Sequence, residues 1–176
     1  MPSPTYFALA KTVLTGTQAT ITFSNIPSTY TDLIVFTSAR TNANIIRDNI
    51  KMTINGASTN YSEQIIYSVE SSTSISAFYQ SANWLNLLYA NGNSSSGTSN
   101  TFNSLEIYFS NYTSSTAKPI SSTSVSERNL NQGWWLSPGA HLWNNTQAIT
   151  SLTFVPTTGT NFLADTSFYL YGIKNS

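Results

Sequence analysis

The chain has 176 residues and no formal net charge: seven Lys and Arg balance seven Asp and Glu, only 8% of the total, where about a quarter is usual. So little charge leaves little long-range field, which excludes bulk electrostatic capture of nucleic acid or of an anionic membrane surface. Cysteine is absent, so neither a disulfide frame nor a thiolate metal site is available.

Ser, Thr and Asn number 28, 25 and 19 and make up the bulk of the polar surface. Neutral hydroxyls and amides oppose self-association weakly, so a protein packed among neighbours is expected. Hydrophobic residues at 40% and aromatics at 13% supply a core, and the length suits one domain over 1–176. The first ten residues hold only Tyr6–Ala10 as an apolar run, so no secretory leader is expected. No window approaches the roughly 18 apolar residues of a membrane helix.

Along the chain, hydrophobic residues recur with period two, the signature of half-buried strands. Tyr6–Leu14 is the first candidate. Ala19, Ile21 and Phe23 then alternate with Thr20 and Thr22, and Leu33–Arg40 follows. Ile50, Met52 and Ile54 alternate with Lys51 and Thr53 ahead of Asn55-Gly56, a strong hairpin signal because a type I′ turn needs positive φ at both central residues. Tyr61–Val69 and Ile75–Leu88 come next. The run Asn91-Gly-Asn-Ser-Ser-Ser-Gly-Thr-Ser-Asn100 reads as a flexible tip. Leu105, Ile107 and Phe109 alternate with Glu106 and Tyr108. Ile120–Val125 and Trp134–Trp143 are further strands, then Leu152 and Phe154 alternate with Thr153 and Val155, and Phe168–Ile173 closes the chain. The count is ten or eleven strands and no helix. An all-β antiparallel sandwich is predicted, with Ile21, Phe23, Leu33, Val35, Ile107, Phe109, Leu152, Phe154, Phe168 and Leu170 as its core.

Chemistry is sparse. His141 is the only histidine, no Gly-x-Ser-x-Gly elbow accompanies it, and it has no evident partner. Glu63, Glu70, Glu106 and Glu127 allow carboxylate pairs but mark none out. Asp32, Asp48 and Asp165 read as turn or cap residues. No metal-ligand spacing, P-loop or dinucleotide fingerprint exists, so no cofactor, no metal and no enzymatic activity are expected. The aromatics say more. Trp134 and Trp135 are adjacent, so on a strand one faces in and one out, and Tyr169 and Tyr171 lie opposite the core face set by Phe168 and Leu170. These four are the candidate contacts to a partner subunit or a glycan.

Three blocks carry a resemblance. Ile21–Arg40, with Ile26-Pro-Ser-Thr-Tyr-Thr-Asp-Leu33 between two strands, resembles the opening of a group of tailed-bacteriophage virion proteins. Asn100–Lys118, around Leu105-Glu-Ile-Tyr-Phe-Ser-Asn-Tyr112, is similar to their central block, followed by Ser122-Thr-Ser-Val-Ser-Glu-Arg-Asn129. Leu142–Phe154 and Leu170-Tyr-Gly-Ile-Lys-Asn175 are similar to their closing strands. The resemblance implies a jelly-roll-like virion structural protein. A capsid decoration or cement protein bound to the major capsid protein as a homotrimer is the reading it favours, and a tail-fibre or host-glycan adhesin the alternative. Residues 45–91 resemble nothing in that group.

Overall fold

The computed structural model describes residues 5–69, 75–93, 98–127 and 134–174, with the side chains of 69 and 75–82 left undescribed. Twelve strands follow in order: β1 Tyr6–Val13, β2 Ile21–Phe23, β3 Asp32–Ser38, β4 Arg47–Ile54, β5 Tyr61–Val69, β6 Ile75–Ala82, β7 Leu85–Asn91, β8 Ser104–Phe109, β9 Lys118–Ser126, β10 Trp135–Trp143, β11 Leu152–Pro156 and β12 Ser167–Ile173. They form two sheets, one of eight strands in the order β1-β12-β3-β8-β9-β10-β5-β6 and one of four in the order β2-β11-β4-β7. Every pairing between strands is antiparallel.

Setting β5–β6 and β9–β10 aside exposes the underlying plan. Eight strands remain in two sheets of four, β1-β12-β3-β8 and β2-β11-β4-β7, and the chain passes between the sheets as two interlocked Greek keys. This is a jelly roll. The two remaining hairpins are insertions, one between β4 and β7 and the other between β8 and β11. Both add to the β8 edge, so the larger sheet outgrows the smaller by four strands.

The core lies where alternation places it. β4 and β9 each bury every second residue along their length, and all ten core residues expected from the pattern are buried in one cluster. Aromatic rings tie the two sheets together. Phe154 of β11 meets Phe23 of β2 edge-on at 6.3 Å and packs on Phe168 of β12 at 4.9 Å, and Phe168 in turn meets Phe162 at 5.5 Å. A second cluster, Ile65, Leu88, Tyr89 and Trp135, fills the space under the inserted hairpins.

Three local expectations change. Ile75–Leu88 is not one strand: the chain breaks at Asn83-Trp84 and crosses from β6 in the large sheet to β7 in the small one. Asn55 and Gly56 do take positive φ, 52° and 67°, and Ala57 N donates to Ile54 O at 2.9 Å, yet this turn makes no hairpin. It carries the chain from β4 to β5 in the other sheet. Tyr61 directs the crossing, because its hydroxyl reaches back to accept from Ile54 N at 2.8 Å, while the Asn55 carboxamide oxygen accepts from the amides of Thr150 and Ser151. The tip expected at 91–100 starts later than the sequence suggests. Asn91 ends β7 fully buried, and Gly92 packs so tightly that a Cβ there would lie 1.9 Å from Ile45 O. Buried Arg40 holds both flanks of this loop, donating from Nη2 to Asn93 at 2.7 Å and from Nη1 to Asn100 at 3.3 Å. Residues 94–97 of the tip lie outside the described residues.

Of the three aspartates expected at turns or caps, only Asp165 is a turn residue; Asp32 and Asp48 lie in β3 and β4 and accept hydrogen bonds chiefly from residues far along the chain. Asp32, at the start of β3, accepts from Tyr108 Oη at 2.6 Å and from Asn111 N at 2.7 Å. The first of these bonds, with burial second, pushes the Tyr108 phenol up to about 12. Asp165 holds a turn at φ 66°.

Candidate functional site

The insertions create an internal seam. β7 is the outer strand of the small sheet, and its unpaired edge would leave backbone N–H and C=O groups without partners. The inner face of β9, β10 and β5 covers that edge, which explains an unusual feature of the inserted strands: their inward residues include Glu63, Ser122, Ser124, Ser126, Ser137 and His141, all buried. Glu63 Oε2 accepts from Asn86 N at 2.8 Å and its Oε1 from Asn86 Nδ2 at 2.7 Å. Ser124 Oγ donates to Tyr89 O at 3.3 Å, and Ser126 Oγ bonds Asn91 Oδ1. Side chains of one sheet thus finish the hydrogen bonding of the other.

His141 sits in the middle of this seam. Its Nδ1 lies 3.2 Å from Glu63 Oε2 and its Nε2 2.8 Å from Ser122 Oγ. The lone histidine therefore has two partners where the sequence suggested none. Cross-strand register explains both: His141 pairs with Glu63 on β5, and Ser122 pairs with Gly139, two residues before His141 on the same face. Gly139 is required for the approach, since a Cβ there would lie 2.6 Å from His141 Nε2 and 2.8 Å from Ser122 Oγ. Burial alone would raise the Glu63 carboxyl, but hydrogen bonds from His141 and then from Asn86 outweigh it and hold the group below the ordinary carboxylate range.

Ser122, His141 and Glu63 stand in the order of a hydrolytic triad, in which a base activates a nucleophile and an acid orients the base. Here the three are 7%, 4% and 2% exposed, and both carboxylate oxygens are committed to Asn86. The geometry makes this trio a buried clamp between sheets. The signal for it was present in the alternation, because Glu63 lies between Tyr61 and Ile65 on the apolar face of its strand.

A cleft of about 440 Å³ opens at the end of the same seam, lined by Ile45, Arg47, Asp48, Asn49, Tyr67, Asn86, Leu88, Tyr89 and Thr158. Arg47 and Asn49 come from the outward face of β4, Tyr67 from the inward face of β5, and Tyr89 from β7. The Arg47 guanidinium carbon lies 5.1 Å from the Tyr89 ring centre and 5.6 Å from that of Trp135, within cation–π range. Tyr67 meets Tyr89 edge-on at 6.2 Å. Asp48 is buried and well supplied with donors: Thr41 Oγ1 and the amides of Asn49, Thr158 and Gly159, all at 2.8–2.9 Å.

The four aromatic candidates do not form one site. Trp134 is half exposed just before β10, whereas Trp135 is 2% exposed and packs against Tyr89, so Trp135 offers no surface to a partner. Tyr169 and Tyr171 are half-buried on the outer face of β12, beside Ala8, Ala10 and Lys11 in a shallow depression of about 310 Å³. β12 and β10 are four strand steps apart, about 19 Å at the usual spacing. Sequence reasoning missed Arg47, Asn49, Tyr67 and Tyr89, which come from three strands of two sheets.

No family model matches the chain, and no curated protein matches it either.

Proposed function

We propose that this protein is a non-enzymatic structural component of a tailed-phage virion, a decoration or cement protein that packs through the outer face of its eight-stranded sheet. The observation that carries this reading is the character of that face. From β12 across β3, β8, β9 and β10 to β5, its described residues include only two formal charges, Glu106 and the hydrogen-bonded Asp32. Between them lie exposed apolar side chains, Phe36, Ile66, Val125 and Leu136, with Trp134 at the margin. Phe36 and Tyr171 meet edge-on at 6.0 Å and form an aromatic pair on this surface. Serine and threonine hydroxyls, among them Ser62, Ser68, Ser104, Ser121 and Thr123, lie between these side chains.

Such a face repels a neighbour weakly and has both apolar and hydrogen-bonding groups to offer, as interfaces do. The insertions widen it well beyond a four-stranded sheet. The composition, the jelly-roll plan that recurs in capsid domains and the three resembling blocks point the same way, although a fold does not by itself define a role. A homotrimer is the proposed state.

Densitometry of purified virions against the major capsid protein tests the reading. A decoration protein is present in tens to hundreds of copies. A handful of copies at the tail would instead support the adhesin alternative, and absence from the particle would overturn both. Light scattering on recombinant protein tests the trimer, and Phe36→Ser with Tyr171→Ser should shift it toward monomer.

A further inference from the structure

The geometry points to the Arg47 cleft as a binding site for an acidic sugar, one whose carboxylate meets Arg47 while its ring rests against Tyr67. This site lies on the seam side of the molecule, and the inference does not depend on the assembly role proposed above.

Arg47 carries the argument. It has five N–H donors, and none finds an acceptor among the described residues, Nη1 being buried without one. No carboxylate of the described residues pairs with it either, the single ion pair there being His141 with Glu63. Asp48 is adjacent in sequence and lines the same cleft, but its oxygens are taken by four donors from the chain. A planar guanidinium held against two aromatic rings is already oriented, so a carboxylate gains a two-pronged contact with little ordering cost.

The rest of the lining favours a sugar over a simple anion. The half-buried ring of Tyr67, seated edge-on against buried Tyr89, offers flat apolar surface suited to the C–H face of a pyranose. Asn49 uses its carboxamide oxygen for Tyr89 N at 3.4 Å, and its amide nitrogen has no acceptor among the described residues. The cleft volume of about 440 Å³ falls within the range of small-ligand sites, about 300–1,000 Å³, and one pyranose with its carboxylate fits in it.

The test is a titration of the full chain followed by two-dimensional NMR, with methyl glucuronide and N-acetylneuraminic acid as probes. Methyl glucoside, acetate and an aspartate-rich peptide serve as controls. Saturable shifts of the Arg47, Asn49 and Tyr67 signals by an acidic sugar are expected, with the neutral glucoside about tenfold weaker or more. Arg47→Gln should weaken binding about tenfold and Arg47→Lys by less, both with unchanged thermal melts. If Arg47→Gln fails to fold, the wild-type shift map decides alone. Equal binding of the glucoside, shifts elsewhere on the protein, or no saturation by either acidic sugar would overturn the inference. Binding of acetate or the peptide in preference to the sugars would also overturn it.

Discussion

Replacing Glu63 tests whether the buried clamp holds the two sheets together. Glu63 accepts three hydrogen bonds, from Asn86 N at 2.8 Å, Asn86 Nδ2 at 2.7 Å and His141 Nδ1 at 3.2 Å. Glu63→Ala removes both oxygens and all three hydrogen bonds from a buried site and leaves a β7 edge amide unsatisfied. Removing one member of a buried pair costs about 3–5 kcal/mol, a large share of the roughly 5–15 kcal/mol that holds a domain folded. Glu63→Gln keeps the shape and one oxygen for Asn86, and its amide can donate to His141 Nδ1 if the imidazole proton moves to Nε2, facing Ser122. Its cost should be smaller, about 1–3 kcal/mol. Urea unfolding at pH 7 and pH 3 measures both. The folded-state value of Glu63 is lowered, so its stabilising share is complete above the ordinary carboxylate value of about 4.3 and is lost as pH falls through the lowered value. The gap between wild type and Glu63→Gln should therefore narrow at pH 3. A Glu63→Ala cost below about 1 kcal/mol, or a gap equal at both pH values, would refute the clamp.

Phe154→Ala removes the ring that joins Phe23 to Phe168 and should cost about 3–5 kcal/mol in the same assay. Gly92→Ala places a Cβ 1.9 Å from Ile45 O; the backbone must shift, at a cost of about 1–3 kcal/mol, and amide exchange should accelerate at Gly92 and Asn93, which donate to Ile46 and Ala43. Lys118 is fully buried, with its Nζ donating to the carbonyls of Ser114, Thr116 and Asn145. Lys118→Met keeps the bulk but orphans these acceptors, and the melting temperature should fall by the equivalent of about 1–3 kcal/mol.

Much of the fold is legible in the sequence because its signals are local. Alternation over a few residues marked Phe23, Val35, Ile107 and Phe154 as core, since a strand sends successive side chains to opposite faces whatever it pairs with. The left-handed turn at Asn55-Gly56 was equally local, and it formed. Its destination was not, because a turn sets the chain's direction while the sheet it joins depends on distant partners such as Thr150 and Ser151. The same division holds for the sites. Composition determined that the surface would be nearly uncharged, and alternation placed Tyr169 and Tyr171 on the outer face. Only tertiary structure decided that His141 meets Glu63 and Ser122, which lie 78 and 19 residues away, or that Arg47 stands against Tyr89 and Trp135. Those contacts depend on cross-strand register and on two inserted hairpins folding over the β7 edge, and no spacing along the chain records either.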